Sequence, residues 1–386
     1  MSDQDTPHAI TAASLFDGSS WMFEHAVVVR GSTVVDILPL DELPEALTVT
    51  DLGEGVVAPG FIDLQVNGGG GALFTETPTA KTLDQMSNAH RATGTTAMMP
   101  TLLSTTLPTC KAAIATVDEA MQSGNPAILG LHIEGPFFDS ARRGAHKADM
   151  IRPMEQADID LLVATNLPLM LTLAPEHCQP GVIEKLTEAG LMVCAGHTDA
   201  SAEQIRAALR EGLRGFTHLF NAMSQITARS PGVVGAALDD IQTWVGIIAD
   251  GHHVHPINLS LAHRAKADGK VCLVTDAMST VGAENKVMQL YEEEIREQDG
   301  KLVNADGNLA GSAIGMIQAV QYAHHSAGIE LGECLNMASR YPADFLSRKE
   351  DLGQLAPGFR ADIVHFDDAF VVRNTWLAGS HQRHNQ

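Results

Sequence analysis

The run LHIEGPFF, residues 131–138, reads as an apolar strand that stops at a carboxylate, because Gly135 and Pro136 prevent the strand from continuing. It sets Glu134 at the rim of a sheet. Three later runs close in the same manner: LMVCAGHT carries His197, GFTHLF carries His218 and VCLVTDAM carries Asp276. Four acid or imidazole side chains at four strand ends have the composition of one metal site.

Working outward, eight apolar runs of strand length occur, at 56–66, 95–103, 127–135, 169–175, 191–198, 215–220, 244–251 and 270–277. They are continuous rather than alternating, the mark of strands buried on both faces in a parallel sheet. Segments between them, such as DASAEQIRAALREG at 199–212, repeat apolar residues at helical spacing. Eight strand–helix units over roughly 250 residues predict an α/β fold, a (β/α)8 TIM-like barrel. The competing doubly wound sheet would carry GxGxxG after its first strand. Here GGGGALF follows Asn67, Leu73 stands where the third glycine is needed, and there is no Walker lysine. The glycines at 68–71 fit a tight loop or a turn.

The ends have a different texture. HAVVVRGSTVVDILP has a hairpin pattern around Arg-Gly-Ser, and GQLAPGFRADIVHFDD with AFVVRNTWLAG resembles it in kind. The expected organisation is a small β-sandwich domain formed by residues 1–58 and 353–386, around a barrel at 59–352 with a hairpin insertion near 285–312. Helices near 313–327 and 331–340 lead back to the β unit.

Composition sets the class. The chain has 386 residues, 45 % hydrophobic and 19 % charged, as expected of a globular enzyme and not of a disordered chain. A net charge of -22 counts against nucleic acid and anionic membrane as partners, so any phosphate must be held locally. The five cysteines are scattered without a CxxC pair, and Cys194 and Cys272 lie inside apolar runs, the usage of a reducing compartment. MSDQDTPHAI has acidic residues where a signal peptide has basic ones, and no apolar run reaches the ~18 residues of a spanning helix. These features predict a cytoplasmic location.

In a barrel the active site lies at the C-terminal strand ends. In chain order those ends offer Gln65 with Asn67, Thr101, Glu134, Glu176 with His177, His197, His218, Asp250 with His253, and Asp276. Any one of them alone is more often a cap, a loop hydrogen bond or a surface group than a ligand. Together, Glu134, His197 and His218 on the third, fifth and sixth strands form a two-imidazole, one-carboxylate set that leaves a zinc-type ion an open position. Asp276 on the eighth strand is suited to take a proton from an attacking water and later return it. His253 suits a carbonyl or an oxyanion, with His252 or His255 as alternatives. Arg229, read alone, is a solvated loop charge, though a guanidinium suits phosphate.

The motifs APGFIDLQVNGGGG, GLHIEGPF with RRGAHK, LAPE, AGHTDA, THLFNAM, IADGHHV, LVTDAM and LAGSAIGM, spread over essentially the whole chain, resemble the N-acetylglucosamine-6-phosphate deacetylases of the amidohydrolase superfamily. The resemblance implies a metal-dependent amide hydrolase acting on an acetylated amino-sugar phosphate. It places metal ligands on Glu134, His197 and His218, the acid/base on Asp276 and a carbonyl-orienting role on His253. Substrate contacts fall on Ala145, Asn221, Ala222, Arg229, Leu309, Ala310 and Gly311. It further implies a homodimer in which Arg229 reaches the sugar phosphate held by the neighbouring subunit.

Two positions depart from relatives. Many amidohydrolases carry His-x-His at the end of the first strand, where this chain has Gln65-Val66-Asn67, a possible remnant of a second metal site. An amide is a poor ligand beside imidazoles, so one divalent metal ion per subunit is expected, zinc first and Fe2+, Co2+ or Mn2+ as alternatives. Asp199 stands where relatives often have Asn and is expected at most to cap the next helix. Rival readings are deacetylation of N-acetylgalactosamine 6-phosphate, a cyclic-amide hydrolase of the dihydroorotase type, and a non-catalytic sugar-phosphate or metal sensor.

Overall fold

The computed structural model describes residues 6–305 and 307–384. Eight parallel strands run in sequential order around one sheet: β1 (Phe61–Val66), β2 (Thr95–Leu103), β3 (Leu131–Glu134), β4 (Leu169–Leu173), β5 (Met192–Ala195), β6 (Gly215–Phe216), β7 (Trp244–Ile248) and β8 (Val271–Val274). A parallel bridge between Val66 and Ala277, with Asp276 N–H donating to the Gln65 carbonyl at 3.0 Å, joins the first strand to the eighth. The predicted barrel is thereby closed.

Strand alternation sorts the core. Leu131 and Ile133, Leu171 and Leu173, Val193 and Ala195, and Val271 and Leu273 face the surrounding helices. Met99, Met170, Met192, Cys194 and Cys272 fill the barrel interior, which Phe345, Leu346 and Leu352 close from below. Above this apolar floor lies a polar layer in which His132 sits between Thr101 (3.2 Å) and Thr172 (2.7 Å), and Thr172 bonds Thr217 at 2.6 Å. Just beyond this layer, at the strand ends, come the site side chains, Glu134 two residues after His132 and His218 directly after Thr217. The connecting helices start where the sequence supplies caps: Thr79 accepts from Thr82 N–H, and Ser201 with Gln204 forms a capping box.

The terminal segments supply two further sheets. One has the order 380–383, 372–377, 363–366, 56–59, 14–16, 21–22, and so joins both chain ends; the other has the order 33–39, 25–30, 8–11, 48–51. Ile10, Leu15, Val27, Val57, Ile363 and Trp376 share one apolar core there.

Two readings are corrected. The run 56–66 is two strands: Val56–Pro59 belongs to a terminal sheet, Phe61–Val66 to the barrel, and the chain turns between them at Gly60. A Cβ at Gly60 would lie 2.3 Å from Thr96 Oγ1, so the crossing requires glycine. The insertion is a three-stranded meander of Val287–Leu290, Glu293–Gln298 and Lys301–Val303 rather than a hairpin. Its Met288, Leu290, Ile295 and Leu302 pack on Leu73, Leu103, Met278 and Ala310 at the barrel mouth, which makes it a wall of the site. The GGGGALF stretch is a small hairpin, Gly68–Gly69 against Ala72–Leu73.

Candidate metal centre and active site

The residues singled out at the strand ends do not leave the barrel in relaxed conformations. His197, His218 and Asp276 have φ of 51°, 35° and 53°, left-handed values that cost a residue with a Cβ of order 1–3 kcal/mol each. Ala222 shares this backbone state at 49°. Strain at the ends of β5, β6 and β8 persists only where other contacts over-determine it, and those contacts aim the side chains inward.

Glu134 Oε1 lies 3.3 Å from His197 Nε2 and 3.1 Å from His218 Nε2, and the two nitrogens are 3.0 Å apart. Three ligand atoms around an ion at ~2.0–2.2 Å would be spaced by roughly 3.3 Å in a tetrahedral site. Tautomer logic supports a cation there. His197 Nδ1 lies 2.8 Å from the Arg142 carbonyl, which only accepts, so Nδ1 carries the proton and the neutral ring turns a bare Nε2 lone pair toward a carboxylate oxygen. A positive charge between them removes the repulsion. Phe138 stacks on the His197 ring with centroids 4.3 Å apart and fixes its plane.

The electrostatics follow from burial. Burial pushes the Glu134 carboxyl up, and the close His197 and His218 imidazoles, with His132 behind them, reverse this and leave it well below the usual carboxylate range. Burial lowers His197. His218 is lowered by burial but raised on balance by its bond to Glu134. Asp276 is raised to about 6, first by burial and then by the Glu134 charge, against the opposing effects of His218, His253 and Asn67.

These side chains open on a cavity of ≈ 190 Å³ whose walls include Asn67, Ala145, Asn221, Ala222, His253, Leu309, Ala310 and Gly311. His253 Nδ1 is 2.6 Å from Asp250 Oδ2, and Asp250 Oδ1 accepts the N–H groups of His252 and His253. That pairing leaves Nε2 of His253 for a ligand; His252 and His255 do not line the cavity. Gln65 lies behind the wall, bonded to Glu134 and Asp276. Arg229 is exposed and lies outside the cavity of its own chain.

Other strand-end residues point elsewhere. Glu176 accepts from Thr198 Oγ1 and from Asp199 N–H, while His177 pairs with Asp139 at 2.8 Å on the rim. Asp199 binds Arg142 at 2.7 Å, and Ser201, not Asp199, caps the following helix. Sequence reasoning missed His146, which lines the cavity and has a ligand atom within 4.8 Å of those of Glu134 and His197. Ser104 N–H donates to His146 Nδ1 at 3.3 Å, so the neutral ring carries its proton on Nε2, which suits a hydrogen-bond donor better than a metal ligand. Burial pushes His146 down to about 3, which keeps it neutral. His146 stands in a loop rather than at a strand end, so the positional rule gave it no weight.

A closed eight-stranded barrel with a two-imidazole, one-carboxylate centre at its C-terminal face defines a class, and the comparisons agree with it. Residues 56–381 match the amidohydrolase family, and the chain belongs to that family, whose superfamily is metal-dependent. Residues 8–55 match the NagA composite domain. Among relatives, the chain is 41 % identical over 329 residues, 85 % of its length and 83 % of the other, to the N-acetylgalactosamine-6-phosphate deacetylase of Shewanella sp. (strain ANA-3). It is 35 % identical over 370 residues, 91 % of this chain and 90 % of that one, to the N-acetylglucosamine-6-phosphate deacetylase of Homo sapiens. The crystal structure of N-acetylglucosamine-6-phosphate deacetylase from Pasteurella multocida superposes with a TM-score of 0.94 at 34 % identity, covering 98 % of this chain and 100 % of that one. Among the described residues no helix is long and apolar enough to cross a membrane.

Proposed function

We propose that the chain hydrolyses the acetamide of N-acetyl-D-glucosamine 6-phosphate to acetate and D-glucosamine 6-phosphate, in amino-sugar catabolism or recycling. The observation that carries the reading is Asp276, a buried carboxylate held near 6 on the wall that also bears the Glu134–His197–His218 triangle. Glu134, His197 and His218 would hold one divalent cation per subunit, zinc first and iron, cobalt or manganese as alternatives. Bound there, the cation would polarise the carbonyl and ease deprotonation of water. Asp276 takes the proton of the attacking water as its oxygen adds to the acetamide carbon. His253, fixed on Asp250, presents its other ring nitrogen to the carbonyl oxygen. As the C–N bond breaks, Asp276 returns the proton to the departing amine. Ala145, Asn221, Ala222, Leu309, Ala310 and Gly311 hold the sugar.

A second reading, the galactosamine epimer as preferred substrate, is favoured by the identity to the Shewanella relative. Acetate release from the two phosphorylated epimers, assayed side by side on metal-loaded protein, separates them by the ratio of kcat/KM. Binding of both sugars with no acetate released would instead leave a sensor.

Arg229, exposed and not among the residues lining its own cavity, is assigned to the phosphate bound by the other subunit of a homodimer. Arg229→Ala should raise KM at least about tenfold, the loss of one charge-assisted phosphate contact. Mixed with Asp276→Asn subunits, it should regain about a quarter of the wild-type activity, since half of random dimers are mixed and each has one complete site. Recovery no greater than the sum of the two variants would place the arginine in its own subunit's site or outside the reaction.

The small β domain is taken as residues 1–58 with 353–386 and the catalytic barrel as 59–352, with Gly60 at the junction. A cytoplasmic location fits five cysteines that are all free.

A further inference from the structure

The end of β1 carries two amides where a second set of ligands would stand, and their hydrogen bonds give them work of a different kind. Gln65 Nε2 donates to Glu134 Oε2 at 3.0 Å and to Asp276 Oδ1 at 3.1 Å. Asn67 Nδ2 donates to the same Asp276 Oδ1 at 2.6 Å. A carboxylate oxygen only accepts, so both amides are held with nitrogen toward the acids, and both hydrogens of Gln65 Nε2 are used.

The consequence is an asymmetry within each acid. Oδ1 of Asp276 has two lone pairs and two donors, whereas among the described residues no hydrogen bond reaches Oδ2. Oε2 of Glu134 is tied to Gln65, which leaves Oε1 facing His197 and His218. Asn67 shows that the acids, not the amides, are being served. With Nδ2 turned to Asp276, its Oδ1 is buried and has no partner among the described residues, in a residue only 1 % exposed. Leaving such an acceptor unmet costs ~1–3 kcal/mol.

On the reading given under Proposed function, we propose that Gln65 and Asn67 are positioning residues that divide the labour between the oxygens of the two site carboxylates. Oε1 of Glu134 is left for the cation and Oδ2 of Asp276 for the travelling proton, while Oε2 and Oδ1 are anchored by amide donors. Gln65 touches both acids and couples them; Asn67 acts on Asp276 alone.

The test compares Gln65→Met, close in shape but without donors, with Asn67→Leu. Zinc affinity of the full chain is measured by chelator competition, and kcat, KM and thermal midpoint are measured beside it. Gln65→Met should weaken zinc binding about 10- to 100-fold and lower kcat by a similar factor, with KM within about threefold. Asn67→Leu should lower kcat while zinc affinity stays within about twofold, a split that a merely structural role would not produce. If Gln65→Met does not fold, Gln65→Glu keeps the shape and replaces the donors by acceptors; it should lower kcat more than the Met variant's expected loss. Folded Gln65 variants with unchanged zinc affinity and kcat overturn the proposal, as does equal loss of zinc from the Asn67 variant. Wild-type protein that binds zinc but releases no acetate from either epimer overturns the deacetylase reading instead. In that case the zinc measurements on the Gln65 variants still decide the Glu134 half.

Discussion

Asp276→Asn should reduce kcat by about three orders of magnitude, ~4 kcal/mol of transition-state stabilisation, with metal content unchanged. The side chains are isosteric, and the new amide oxygen can still accept from Gln65 and Asn67 at the Oδ1 position. What disappears is the group proposed to carry the proton from water to amine. The wild-type pH profile should show this group: the base must be ionised, so kcat falls as pH drops through about 6 or somewhat below, since a bound cation adds to the effects of His218 and His253. The residual activity of the variant should lack that limb. Stability should move the other way. The folded value lies above the ordinary 3.8, so the stability this carboxyl contributes is complete below 3.8 and is lost as pH rises through about 6. An asparagine has nothing to ionise, and metal-free Asp276→Asn should melt no lower than metal-free wild type at pH 7. Turnover near the wild-type rate at full metal content would remove Asp276 from the mechanism.

Glu134→Gln should release the metal before it unfolds the chain. The carboxylate is the only anionic member of the triangle, and three ligands share a binding free energy of ~10 kcal/mol or more. Loss of one should weaken affinity on the order of 10³-fold, read by chelator competition and by elemental analysis after dialysis. The fold should survive because a glutamine side chain fills the same volume as the glutamate, and its amide oxygen can still accept from Gln65 at the Oε2 position. Some stability should be lost at neutral pH. The folded carboxyl lies below its ordinary 4.5, so its contribution is present above that value and fades as pH falls through the lower one. Full metal content after dialysis would show that the triangle is not the site and would turn attention to His146.

How much of this was legible in the chain differs from one residue to the next. Glu134, His197, His218 and Asp276 were visible because a buried parallel strand must end somewhere, and a charged or imidazole residue directly after an apolar run is conspicuous. The same rule misled at Glu176 and His177, which follow an apolar run equally well but turn to the rim, toward Thr198, Asp199 and Asp139. Periodicity reports where a strand stops and not which way the chain turns next.

By itself the sequence determined the barrel and the strand order of the acids and imidazoles at its ends, because burial on both faces leaves a continuous apolar signal and eight such runs close in only a few ways. Tertiary structure alone decided which atoms meet. The left-handed backbone at His197, His218 and Asp276, the Arg142 carbonyl that sets the His197 tautomer, and the His146 side chain brought in by a loop all depend on contacts across distant parts of the chain. So do the two amides that tie one oxygen of each acid. Hydrogen bonds are directional over about 3 Å, and no one-dimensional pattern encodes a direction at that scale.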